Sequence, residues 1–189
     1  MFFKKTSIQG AYTIILDPKE DSRGLFARTF CSKEFEKTKI TSNFVQCNIS
    51  ENKNKGTIRG LHLQKDPYAE DKLVRCFRGV IFDVCVDLRP NSSSYLQWYG
   101  EELSEDNNKA LYIPKGCAHG YQTLSDNTLI FYQTSQFYTP TAEQGIIWND
   151  STLNIQWPLQ NNLIISNKDT KSLPFSSLNL KSFYSSKHE

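Results

Sequence analysis

The chain has 189 residues, 38% of them apolar and 22% charged, which suits a globular protein of one domain. Lys and Arg number 22 against 20 Asp and Glu, and a net charge of +2 excludes a strong electrostatic case for a nucleic-acid or membrane surface. No apolar run approaches a membrane helix, no secretory apolar region follows Met1 to Lys5, and five cysteines without a CxxC pair read as reduced thiols of a cytoplasmic protein.

Gly and Pro punctuate the chain at short intervals, and the stretches between them are rich in β-branched and aromatic residues. In chain order, the expected strands are Tyr12 to Leu16, Phe44 to Ile49, Lys72 to Phe77, Val80 to Leu88, Leu111 to Pro114 and Thr128 to Gln133. One short helix is expected from Ser32 to Lys39, with Ser32 as its N-cap and Phe35 as its apolar contact. The segment Val80 to Leu88 is the clearest strand. Val80, Phe82, Val84, Val86 and Leu88 fall on one face, and Ile81, Asp83, Cys85 and Asp87 on the other. Asp83 and Asp87 are read either as buried partners of other polar groups or as hydrogen bonders of the wall, and the cysteines as packing residues. Many short strands and little helix imply an all-β sandwich or barrel. The tail from 182 to 189 is expected to be frayed.

Of the three histidines, His188 lies in the tail, which leaves His62 and His119 for chemistry. His119 closes Pro114-Lys115-Gly116-Cys117-Ala118-His119, which resembles the second motif of the cupin β-barrels. His62 sits in Arg59-Gly60-Leu61-His62-Leu63-Gln64, which resembles a degraded first cupin motif. Metal-binding cupins carry two histidines two apart there, on one side of a strand. Here the second is Gln64, a poor ligand, and Lys72 occupies the neighbourhood of the expected carboxylate. The expectation is a cupin-type β-barrel (a jelly roll) with short peripheral helices, a pocket and no metal. His62 and Arg59 have opposite strand parity, so aiming both into one pocket requires a bulge, for which Gly60 is the candidate.

Over nearly its whole length the chain resembles the dTDP-4-dehydrorhamnose 3,5-epimerase family of nucleotide-diphosphate 4-keto sugar epimerases. The segments that carry this include Asp21-Ser22-Arg23-Gly24-Leu25-Phe26, Val45-Gln46-Cys47-Asn48, Arg59-Gly60-Leu61-His62, Lys72-Leu73-Val74, Ile113 to Gly120, Tyr132 to Tyr138, Trp148-Asn149-Asp150 and Ser166-Asn167-Lys168-Asp169. The resemblance implies one cupin epimerase domain over 1–189, acting without a cofactor on a sugar whose C3 and C5 hydrogens are acidified by the C4 carbonyl. It implies His62 as base, Asp169 as the carboxylate that orients it, Tyr132 as acid on the opposite face and Lys72 as the cation at the enolate oxygen. It assigns Arg23, Arg59 and Lys168 to the diphosphate, Gln46 and Asn48 to the nucleotide or sugar, and His119, Tyr138 and Glu143 to the sugar end or rim. It implies a homodimer in which Phe26 and Arg28 help to complete the partner's site.

Three departures from the family pattern bear on substrate. Arg28 stands where relatives usually carry Glu, and because Arg matches the guanine edge, a GDP-linked sugar such as a heptose is kept beside the dTDP sugar. Leu63 replaces a usual tyrosine and Gln133 a usual lysine, both read as tuning the sugar pocket. The expected setting is the supply of activated sugars for a bacterial surface polysaccharide. A cupin 3,4-ketoisomerase, a metal-dependent cupin and a non-catalytic sugar-nucleotide binding module are the alternatives.

Overall fold

The computed structural model describes residues 1–41, 43–179 and 183. Its strands in chain order are β1 (Phe2–Lys5), β2 (Tyr12–Ile15), β3 (Lys19–Asp21), β4 (Gly24–Phe26), β5 (Gln46–Asn52), β6 (Thr57–Gln64) and β7 (Lys72–Arg78). They continue with β8 (Val80–Asp87), β9 (Trp98–Ser104), β10 (Lys109–Ile113), β11 (Cys117–Thr123), β12 (Thr128–Thr134), β13 (Glu143–Gly145) and β14 (Ile164–Ile165). Two short helices, α1 (Ser32–Glu36) and α2 (Asn167–Thr170), and one 3-10 turn (Phe175–Ser177) lie outside the sheets. No helix among the described residues is long and apolar enough to cross a membrane.

One sheet has the order β1-β2-β10-β7-β12-β5 and the other β13-β6-β11-β8-β9, with β14 alongside β6 in parallel. From β5 to β13 the chain passes from one sheet to the other at every step except the β8–β9 hairpin. This is the cupin-type jelly roll. The strict alternation of β8 explains why two sheets close on each other. Its odd positions Ile81 and Cys85 join Val74, Cys76, Leu111 and Ile130 of the facing sheet in a core between the sheets. Its even positions Val84 and Val86 pack outward with Ile58, Leu61, Leu63 and Ala118 against a cover of Ile146, Leu153, Ile155 and Trp157. A third cluster, of Ile14, Phe35, Leu73, Ala110 and Tyr112, seats α1 on the outside of the first sheet.

The expected strands form with shifted ends. The segment expected from Phe44 starts at Gln46 and runs on to Asn52, because the Phe44 ring packs edge-on against Phe30 and Phe35 instead. The helix ends at Glu36, and its N-cap is Cys31 without a side-chain hydrogen bond, so Ser32 is not the cap. Phe35 is fully buried, as expected. In the tail, Phe183 is 3% exposed within the outer core and its carbonyl accepts from Asp66 N, so the tail is docked at that point. The rest of the tail from 182 to 189 lies outside the described residues. Cys76, Cys85 and Cys117 are buried, whereas Cys47 is exposed and is not a packing residue.

The bulge forms where parity demands one. His62 pairs with His119 across β6 and β11, but Arg59 pairs with Tyr121, so β6 carries one residue more than β11 between these pairs. Gly60 takes φ +103°, and a Cβ there would lie 2.5 Å from the His119 carbonyl oxygen. Ile58, Leu61 and Leu63 therefore pack outward, while Arg59, His62 and Gln64 turn to the hollow side.

Candidate active site

Interior-facing positions of five strands line one cleft. β5 supplies Gln46, Asn48 and Ser50, β6 supplies Arg59, His62 and Gln64, β7 supplies Lys72, β11 supplies His119 and Tyr121, and β12 supplies Tyr132 and Thr134. The main hollow measures about 320 Å³. A second one of about 230 Å³ shares His62, Lys72 and Tyr132 with it. A third is lined by Arg59, His62, Lys168 and Asp169.

His62 Nε2 lies 2.7 Å from Asp169 Oδ1. Asp169 is 4% exposed and sits in α2, whose Ser166 cap accepts from Asp169 N. Burial opposes the charge on Asp169, but the His62 hydrogen bond and charge, with the Gly60 N–H, outweigh it and hold the carboxyl below its ordinary value. An ionised carboxylate only accepts, so Nε2 carries the proton and Nδ1 is left as the basic nitrogen.

A second histidine–aspartate pair lies next door. His119 Nε2 is 2.7 Å from Asp83 Oδ1, and Asp83 is fully buried on the interior face of β8. Of the two readings left open for Asp83, the structure gives the buried partner of another polar side chain, His119. Asp87 binds Arg89, Ser92 and Ser94 instead and fixes a loop.

Tyr132 stands on the wall opposite His62, because β12 and β6 belong to facing sheets. Burial pushes its hydroxyl above the ordinary value, Arg59 pulls it back and Glu70 pushes it up again. Lys72 Nζ lies 3.2 Å from Glu70 Oε1, with side chains only 12% and 6% exposed. Glu70 is the residue that sequence reasoning missed. It is the carboxylate sought near Lys72, six residues beyond Gln64, in an irregular segment where no periodicity marks it. The signal that would have found it was its spacing from Gln64 within the first motif.

At the mouth, Glu143 accepts from Tyr138 Oη at 2.8 Å and from Lys168 Nζ at 2.6 Å. Burial opposes the Glu143 charge, but Lys168, Tyr138 and His62 hold the carboxyl below its ordinary value. The Tyr138 N–H donates to Gln46 Oε1. Among the described residues Arg59 has no ion-pair partner, and its Nε donates to Asn52 at 2.8 Å. Among the described residues no cluster of three or more His, Cys, Asp or Glu side chains is placed to hold a metal, and the Gln64 amide is spent on Glu70, Tyr68 O and Phe137 O.

Three expected binding residues do not reach this cleft within one chain. Arg23 pairs with Asp21 in the exposed β3–β4 hairpin, and Arg28 pairs with Glu34 at 3.2 Å. Phe26 is 74% exposed. Leu63 lines the cleft but its side chain is 3% exposed in the outer core, and Gln133 points to the outer face of β12, away from the sugar pocket. The reading of Gln133 as a pocket residue is therefore corrected by strand parity.

The comparisons agree with this geometry. A family model described as dTDP-4-dehydrorhamnose 3,5-epimerase matches residues 5–177. A dTDP-4-dehydrorhamnose 3,5-epimerase of Shigella flexneri is 45% identical over 167 residues, covering 86% of this chain and 90% of the relative. The crystal structure of the enzyme of that name from Elizabethkingia anophelis superposes with a TM-score of 0.91 at 40% identity, covering 95% of this chain and 98% of the other. A Legionella pneumophila dTDP-6-deoxy-D-glucose-3,5-epimerase in complex with dTDP-4-keto-L-rhamnose also gives 0.91, at 34% identity and 97% of each chain.

Proposed function

Because the chain belongs to the dTDP-4-dehydrorhamnose 3,5-epimerase family, an isomerase-class enzyme family, we propose that it inverts C3 and C5 of dTDP-4-keto-6-deoxyglucose through an enolate. The observation that carries this is the His62–Asp169 pair at 2.7 Å on one wall of a cleft whose other wall bears Tyr132. His62 Nδ1 takes the proton next to the C4 carbonyl, and the electron pair moves to the C4 oxygen, where the Lys72 ammonium receives it. Tyr132 returns a proton to the opposite face. The imidazolium and tyrosinate left behind exchange with solvent and reset the site. Arg59, without an ion-pair partner among the described residues, and Lys168 at the mouth hold the diphosphate on this reading.

We read the working form as a homodimer. Leu25, Phe26, Ile49 and Phe77 are 57%, 74%, 71% and 44% exposed, which leaves apolar surface on the hairpin and on the outside of the first sheet. The buried Arg75 beside them has an Nη1 without a partner among the described residues. A second copy that covers this face would carry Arg23, Phe26 and Arg28 towards its neighbour's cleft. The five free cysteines fit a reducing, cytoplasmic setting, and family membership supports a supply role for surface polysaccharide.

The test is solvent-deuterium incorporation followed by NMR, with dTDP-4-keto-6-deoxyglucose and a GDP-linked 4-keto sugar in parallel. Label at C3 and C5 of the dTDP sugar is expected, with loss in His62→Asn. Tyr132→Phe should exchange without inversion, since the base remains and the opposite-face donor is gone. Undiminished exchange in His62→Asn would sink the base assignment. Turnover of the GDP sugar alone would put Arg28 at the nucleotide base, label at one carbon would mark a mono-epimerase, and a carbonyl moved to C3 would mark a ketoisomerase.

A further inference from the structure

A carboxylate with no part in those proton transfers lies against the cation that stabilises them. Glu70 precedes β7 by two residues and is 8% exposed. Its Oε1 is 3.2 Å from Lys72 Nζ, and its Oε2 accepts from Gln64 Nε2 at 2.5 Å. Gln64 is itself fixed, since its Oε1 accepts from the Thr139 N–H at 2.5 Å and its Nε2 also faces the carbonyls of Tyr68 and Phe137. Gln64 therefore ties Glu70 to the loop that carries Tyr138.

A carboxylate is buried to this degree only with partners, and here every partner is a donor. A lysine has a flexible four-carbon stem, so an unpaired ammonium in a cleft samples many positions. Pairing with a fixed carboxylate removes that freedom. The Glu70 contact is an ion pair, and the ammonium keeps N–H donors for a substrate oxygen.

We infer that Glu70 is a positioning residue for the proposed epimerisation: it pins the Lys72 ammonium on the wall beside Tyr132, so that the developing enolate oxygen meets a cation already in place. The inference rests on the proposed epimerase reading. It has a signature that a purely structural role lacks, because the Glu70 charge also acts on Tyr132. After burial, Glu70 is the group that pushes the Tyr132 hydroxyl up, against the opposite pull of Arg59. Removing the charge brings the hydroxyl down and shortens the pH range in which Tyr132 is a proton donor.

The experiment measures the kcat and KM of deuterium incorporation from dTDP-4-keto-6-deoxyglucose against pH, for the full-length wild type, Glu70→Gln and Glu70→Asp. Glu70→Gln should lose roughly 10- to 100-fold in kcat, by analogy with a metal ligand that loses its outer hydrogen-bond partner. Its KM should stay within about twofold, because the interaction acts in the transition state. The basic limb of its kcat profile should move to lower pH. Glu70→Asp keeps the charge and shortens the reach, so its kcat should fall while its basic limb stays at the wild-type position, and this decides the matter if Glu70→Gln does not fold. An active wild type with Glu70→Gln equal to it in kcat and basic limb overturns this inference alone. So does a uniform loss with raised KM and an unmoved limb, or a Glu70→Asp with wild-type kcat. A wild type that incorporates no deuterium overturns the epimerase reading and this inference together.

Discussion

Substituting Gly60 by Ala tests whether the β6 bulge is what aims Arg59 and His62 into one cleft. Gly60 has φ +103°, which an L side chain rarely adopts, and this alone costs about 1–2 kcal/mol. The added methyl also meets the His119 carbonyl oxygen at 2.5 Å and Gly120 Cα at 2.8 Å, both backbone atoms of the paired strand. Neither can turn aside as a side chain would, so β6 and β11 must part, and overpacking of this kind adds about 1–3 kcal/mol. The expected loss is about 2–5 kcal/mol in all. Gly24 supplies the control. Its φ is +122°, and a Cβ there meets nothing within 4 Å, so Gly24→Ala carries the backbone cost without the clash. Both variants are unfolded in urea at one protein concentration, since the stability of the proposed dimer depends on it. Deuterium incorporation is measured alongside, and a shift of His62 by about 1 Å should cost Gly60→Ala on the order of 100-fold in rate. A Gly60→Ala that is no less stable than Gly24→Ala, or that exchanges at the wild-type rate, would refute the claim that this bulge sets the site.

Asp169→Asn should lower kcat by about 10²- to 10⁴-fold at neutral pH, because an amide no longer orients and charges the imidazole. Its stability follows a definite pH course. The Asp169 carboxyl sits below its ordinary value of 3.8 in the fold, so its contribution is complete above the unfolded value and is lost as pH falls through the lower folded one. The gap in unfolding free energy between wild type and Asp169→Asn should therefore close at pH below about 4, and a gap that widens there would contradict an ionised Asp169. Subunit mixing tests the shared site. His62→Asn and Arg23→Ala, each nearly inactive alone, should recover about a quarter of wild-type activity after unfolding and refolding together, since half the dimers are mixed and one of their two sites is intact. No recovery would mean that Arg23 does not serve the neighbouring cleft.

What the sequence made legible follows from where its information is periodic. The alternation from Val80 to Leu88 specified a strand buried on both faces, and that settled two facing sheets. The parity conflict between Arg59 and His62 located the bulge to the residue. Asp169 was different. It lies 107 residues from His62 in a four-residue helix, and only the family pattern singled it out, since a turn aspartate has no periodicity to show that its carboxylate is buried. Glu70 and the long cover from Ile146 to Trp157 failed for the same reason: both are irregular backbone whose burial is decided by what the sheets present to them. Arg28 also escaped, because its partner Glu34 is on a helix seated by Phe35, a tertiary contact with no local mark.

The misses at Glu70 and Arg28 concern one property, the pairing of charge. In the cleft His62 faces Asp169, His119 faces Asp83, Lys72 faces Glu70 and Lys168 faces Glu143. Each pair joins a residue that motif reasoning selects to a carboxylate from another strand or loop, and two of those carboxylates, Asp83 and Glu70, were not assigned from sequence. The pairing has a chemical consequence. On the proposed reading, a cleft that binds a diphosphate and then develops an enolate gains negative charge twice. Were all four basic side chains unpaired, the diphosphate would be held wherever it landed, and the cation meant for the enolate would be taken up by phosphate. Pairing all four, with Lys168 held at the rim, leaves Arg59 as the cleft cation without an ion-pair partner among the described residues. Arg59 lines both the hollow beside Lys168 and Asp169 and the one beside Lys72 and Tyr132, whereas Lys72 is held against Glu70. On the proposed reading, Arg59 is then the cation open to the diphosphate, and Lys72, held by Glu70, is the one kept for the C4 oxygen.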